Sequence, residues 1–119
     1  MADSDISDMN TFLKPAAFHI LLALSGGDSY GYAIMQTVRE QSGGRVPLQT
    51  GSFYRHLGKL IDDGLVQETA APKSADPRRS TYYRLSPRGR RVLAAEQQRL
   101  ADLLALAKGL QPASRKGNA

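Results

Sequence analysis

Residues 50–91 read TGSFYRHLGKLIDDGLVQETAAPKSADPRRSTYYRLSPRGRR. Phe53, Leu57, Leu60 and Ile61 recur at helical spacing, which predicts a short amphipathic helix. Thr50 or Ser52 stands where its N-cap belongs, and Asp62-Asp63-Gly64 closes it, with Gly64 suited to a left-handed C-terminal cap. LVQET and STYYRL then predict two strands rich in β-branched and aromatic residues. The link between them, AAPKSADPRR, is longer than an ordinary hairpin turn and carries Lys73, Arg78 and Arg79. Ser86-Pro87 opens a long helix, a cap followed by proline at the first helical position, which runs to about Leu110 before Gln111-Pro112 stops it.

Two more helices precede this stretch. Pro15 suits a first helical turn, and Phe18, Ile20, Leu21, Leu22 and Leu24 are apolar nearly all round, so a helix over 15–25 is expected to be central. Gly26-Gly27-Asp28 ends it. Ser29 is placed to cap a second helix over about 30–41, with Tyr32, Met35 and Val38 as its inner residues, and Gly43-Gly44 breaks the chain after it. The order is helix, helix, helix, strand, wing, strand, helix. The expected fold is mainly α with a small β-hairpin, a winged helix-turn-helix plus a long C-terminal helix. The expected divisions are a disordered segment over 1–11, a reading domain over 12–86, a dimerisation helix over 87–111 and a disordered tail over 112–119.

A chain of 119 residues suits one domain, and 41% hydrophobic residues allow a small core. There is no Cys and only His19 and His56, so disulfides, thiolate chemistry and a histidine-based metal site are not expected. His19, on an apolar helix, is expected to be a packed histidine. No segment approaches the roughly 20 apolar residues of a membrane span, and the acidic opening MADSDISDMN is unlike a signal peptide, so a cytoplasmic protein is expected. No constellation for catalysis stands out, and no cofactor is expected.

The net charge is +5 and the sequence pI near 9.8, which favour an anionic partner. The positive charge is local: residues 45–91 hold ten Lys/Arg against four Asp/Glu, while the remainder holds six against seven. The polar face of the third helix, with Ser52, Arg55, His56 and Lys59, suits a major groove about 12 Å wide. Arg55 could fork onto guanine O6 and N7, Ser52 and His56 could meet bases or phosphates, and Lys59 near the helix end suits a phosphate. Lys73, Arg78 and Arg79 lie in a loop with few apolar residues, where folding gives no reason to cluster them and phosphate or minor-groove contact does. Tyr30 flanks Gly31 at the start of the second helix, where unpaired N–H groups form a phosphate seat. Tyr54 points away from Phe53, towards DNA backbone or the wing. Tyr82 and Tyr83 alternate across a strand, one inside and one out. Gly58, inside a helix, suggests close approach of a neighbouring backbone.

Three segments together resemble the PadR-type transcriptional regulators: LKPAAFHILLALSGGDSYGYAIMQ at 13–36, TGSFYRHLGKLIDDGLV at 50–66 and RRSTYYRLSPRGRRVL at 78–93. The resemblance implies a winged helix-turn-helix dimer, usually a repressor, that binds an inverted repeat in double-stranded DNA near a promoter. Family contacts fall here on Lys14, Tyr30, Ser52, Tyr54, Arg55, Lys59, Arg78 and Arg79. The length resembles the short PadR branch, whose single C-terminal helix serves dimerisation. The last helix supports this on its own residues. Val92, Leu93, Leu100, Leu103, Leu104, Leu106 and Leu110 exceed what one small domain needs to bury. Leu93, Leu100 and Ala107 fall seven apart, with Leu103 and Leu110 alternating, as in a heptad seam, though Glu96 interrupts its start. Leu93, Leu100, Leu103, Leu104 and Leu110 are therefore the expected dimer contacts. Some short PadR-like proteins resemble drug sensors that hold flat aromatics between paired C-terminal helices. This chain has no Phe, Tyr or Trp after Arg84, so a small-molecule effector stays open but not a stacking pocket of that kind. The competing class is a winged-helix module that binds protein without specific DNA binding.

Overall fold

A computed structural model of the chain describes residues 13–78 and 81–110. The expectations placed on 1–11, on Arg79 and on 112–119 lie outside these residues.

Helix α1, Pro15–Leu24, starts at its proline and buries Ile20, Leu21 and Leu24, which makes it the centre of the core. Helix α2, Gly31–Gln41, buries Gly31, Ile34 and Val38. That stripe leaves Tyr32 on another face, 60% exposed, so the expected inner residue is an outer one and Ile34 takes its place. Ser29 does not cap α2: the N-cap is Tyr30, and Ser29 exchanges two backbone hydrogen bonds with Tyr83, at 3.1 and 2.8 Å. Helix α3, Thr50–Asp62, buries Phe53, Leu57 and Leu60, each worth roughly 1.5–3 kcal/mol of apolar transfer. Neither Thr50 nor Ser52 caps it. Gln49 is the N-cap residue, and Ser52, already inside the first turn, donates its hydroxyl to the Gln49 carbonyl at 3.0 Å. The C-terminal end is as expected, with Gly64 at φ +78° just beyond Asp63.

Strands β1, Val66–Ala70, and β2, Thr81–Leu85, pair antiparallel with Val66 opposite Leu85 and Ala70 opposite Thr81. Tyr83 points inward while Tyr82 lies half-buried against Tyr30, ring centroids 5.4 Å apart. The Ser29–Tyr83 bridge adds the α1–α2 connection to the edge of this hairpin, and Arg84 pairs with Asp28 at 2.7 Å beside it. The wing is thus held to the helical core at its root.

Helix α4, Pro87–Gly109, is capped by Ser86, whose Oγ accepts from Gly89 N at 2.9 Å and donates to Gly64 O at 2.6 Å. Ser86 N also donates to Leu65 O at 3.0 Å. The start of α4 is therefore seated on the turn that leaves α3. Val92, Leu93 and Glu96 are buried there, and every residue from 100 to 110 is exposed. Among the described residues no helix is long and apolar enough to cross a membrane. The fold is mainly helical with a two-stranded hairpin, a winged helix-turn-helix with a long C-terminal helix.

Candidate nucleic-acid interface

Helix α3 presents its basic side because its apolar side is consumed by the core. With Phe53, Leu57 and Leu60 turned inward, Tyr54, Arg55 and Lys59 are left exposed and His56 half-buried at the edge. The fold then brings Lys14, at the N-cap of α1, to the same place. Lys14, Arg55, His56 and Lys59 together edge a cavity of about 440 Å³ between α1 and α3. His56 registers that crowding: partial burial, then Arg55 and Lys14, push its pKa below the ordinary histidine value. This concentrates positive potential on the polar side of α3. Lys59 lies 3.6 Å from Asp63, one helical turn on, so part of its charge is offset.

A second group lies towards the wing. Tyr30, Gly31, Tyr54, Thr81, Tyr83 and Arg78 line a depression of about 340 Å³. Here the N-terminal turn of α2 faces the wing, and its first N–H groups have no partner within the helix. The Tyr54 side chain lies over Gly31, where a Cβ would meet its hydroxyl and oblige the ring to shift. Tyr54 therefore reaches the start of α2, beside both helix and wing, rather than standing free on α3. Burial, with Tyr54 and Glu68 nearby, raises the pKa of Tyr83, which keeps that hydroxyl protonated.

Arg78 does not stand alone. Its guanidinium meets the Asp76 carboxylate at 3.0 and 3.3 Å, its backbone N–H donates to Asp76 Oδ1 at 2.9 Å, and the pairing raises its pKa. Lys73 is exposed nearer the wing tip, and Ser52 is turned back to its own helix, so neither lines either depression. Gly58 proves to have open space where a side chain would go, against the expectation of a close neighbour. The close approach is at Gly89, whose Cβ would strike the Leu65 carbonyl.

Sequence reasoning missed three residues that position these groups. Asp76 had a signal, since an Asp two residues before Arg78 in a turn accepts that residue's N–H. Asp63, four residues after Lys59, had one as well. Glu96 had none pointing to its role. It is only 4% exposed, pairs with Arg99 at 2.6 Å and accepts a hydrogen bond from the Leu13 backbone. It thereby ties α4 to the residue preceding Lys14. Leu93 also departs from expectation: it is buried in the core of its own chain, so the exposed apolar face of α4 begins at Leu100. His19 is packed as expected, with Gln41 Nε2 at 3.0 Å from its Nδ1. Among the described residues no group of three His, Cys, Asp or Glu could hold a metal.

The same architecture is found in solved structures. A PadR family transcription regulator from Clostridium difficile is 24% identical with a TM-score of 0.68, over 81% of this chain and 97% of that one. A PadR-like transcriptional regulator from Bacillus cereus is 22% identical with a TM-score of 0.68, over 79% and 88%. RosR of H. salinarum is 25% identical with a TM-score of 0.60, over 89% and 86%. A comparison with curated proteins found no match. The family model described as the transcriptional regulator PadR-like family matches residues 20–95. With well over half its length matched, and a winged helix whose basic face lies between α1 and the wing, the chain belongs to the PadR-like family of transcriptional regulators.

Proposed function

We propose that the protein is a homodimeric repressor that binds an inverted repeat in double-stranded DNA near a promoter. One observation carries this reading: residues from α1, α3 and the wing, separate in sequence, gather on the two sides of α3. Phosphates would be met by Lys14, Lys59, Lys73, Arg78, Arg79, Tyr30 and Tyr54, which supply affinity and register, while Arg55, His56 and Ser52 meet base edges. Residues 12–86 are the reader and 87–111 the dimerisation element. The exposed leucines of α4, from 40% at Leu100 to 71% at Leu110, support the latter because no described part of the chain covers them. Two symmetric readers match two half-sites. No catalytic role or cofactor is assigned, and a cytoplasmic location fits a regulator of transcription.

Mobility shifts with DNA from upstream of the protein's own gene, across a salt series, test the assignment. Arg78→Ala should weaken binding to all sequences and reduce the salt slope by about one. Arg55→Ala should instead relax base preference, at a cost of about 1–3 kcal/mol on the preferred site. An unchanged salt slope in the wing variant sinks the wing assignment. A protein that shifts no DNA, and tolerates charge reversal on α3, is instead a protein-binding module.

A further inference from the structure

The cavity between α1 and α3 has a composition that base reading does not explain. Its floor is aliphatic, formed by Leu13, Ala17, Leu60 and Leu65, and no Phe, Tyr or Trp lines it. Its edge carries Lys14, Arg55, His56 and Lys59 with a single carboxylate, Asp63. Lys59 has Asp63 as partner, but among the described residues no carboxylate pairs with Lys14 or Arg55. At about 440 Å³ it lies within the range of small-ligand sites, roughly 300–1,000 Å³. A phosphate backbone could satisfy the edge, yet it would leave the apolar floor wet.

An apolar floor beside two cations without a carboxylate partner among the described residues, Lys14 and Arg55, complements a ligand with one anionic end and one aliphatic end. We infer that this cavity is an effector site for a medium-chain aliphatic carboxylate, its head on Arg55 and Lys14 and its chain along Leu13, Ala17, Leu60 and Leu65. A planar aromatic acid fits the lining less well, because it has no ring to stack on. The head would take the guanidinium and ammonium that the function proposed above assigns to DNA. On that reading, ligand and operator compete, and each weakens the other's binding by the same factor.

Decanoate, below its micellar concentration, is the probe, and the first measurement uses the full chain without DNA. Amide resonances over 13–17 and 55–65 should move on titration, and the His56 imidazole should titrate at higher pH once an anion sits beside it. Decanol, with the same chain and no charge, should bind about fivefold more weakly, the worth of one good exposed ion pair. Decanoate should release bound promoter DNA. Ala17→Leu fills the floor without touching a charged group, so this variant should hold DNA as tightly as the parent and resist release.

Any of four results overturns the site: resonances over 13–17 and 55–65 that stay fixed, shifts confined to the exposed leucines of 100–110, equal binding of decanol, or release of Ala17→Leu as readily as the parent. Binding of decanoate at the cavity by a protein that shifts no DNA supports the site while sinking the repressor reading.

Discussion

Two single residues decide how rigidly the reading surface is held, one through a steric and one through an electrostatic requirement. Gly89 is a steric requirement, since any Cβ meets the Leu65 carbonyl, which is backbone and cannot swing aside. Gly89→Ala should lower stability by about 1–3 kcal/mol, as overpacking does, in a thermal melt. Gly58 is the internal control: with open space around it, Gly58→Ala should raise stability by up to about 1 kcal/mol through helix propensity. Equal effects at the two positions would refute the steric account. Glu96 is an electrostatic requirement. Arg99 holds its carboxyl below the ordinary carboxylate value, burial opposes this, and the Leu13 N–H assists. A carboxylate with a lowered folded-state pKa contributes stability above its ordinary value and loses it as pH falls through the lowered one. Glu96→Gln should therefore cost about 1–3 kcal/mol near neutral pH, and the difference from the parent should vanish in acid, as denaturant melts over a pH series would record. The spacing of apolar residues could mark Glu96 as an interruption in a leucine pattern. It could not show that the interruption is where α4 meets the chain just before α1.

At the scale of elements, the wing and α4 behave differently. The hairpin and its basic tip are legible because strand composition and turn residues are local properties. What the wing's arginine meets is not local to the strands: Asp76 holds one edge of the Arg78 guanidinium through both its oxygens. The carboxylate offsets part of the guanidinium charge that a phosphate would meet, so the wing's effective charge is lower than its count of cations. Asp76→Asn keeps an oxygen for the Arg78 N–H and removes the charge, and should tighten DNA binding about twofold to fivefold at low salt, with a steeper salt dependence in mobility shifts. No change, or weaker binding, would show that the pairing serves only the turn. Helix α4 is legible in length, start and cap, with Ser86 and Pro87 where expected. Its use is divided. Up to Glu96 it packs on its own domain, and from Leu100 it stands exposed. The heptad reading overlooked this division because Leu93 satisfies the spacing of a seam and the needs of a core equally well.

At the scale of the whole molecule, the exposed half of α4 is the surface on which a second copy would complete the reader. Leu103→Glu combined with Leu104→Glu should leave the fold intact, since both side chains are about half exposed, and should yield a monomer in sedimentation with much weaker operator binding. A dimer that survives both charges would move the interface elsewhere. In a dimer, half-sites about 34 Å apart or a multiple of it are expected. The amino-acid sequence by itself determined the order of elements and which side of α3 is apolar, because periodicity and turn residues act within a few positions of one another. Tertiary structure alone decided the rest. It set Lys14 beside Arg55 and His56, turned Tyr54 onto the start of α2, exposed Tyr32 and buried Leu93 and Glu96. These outcomes depend on how the helices pack on one another, which is set by distances between residues far apart in the chain.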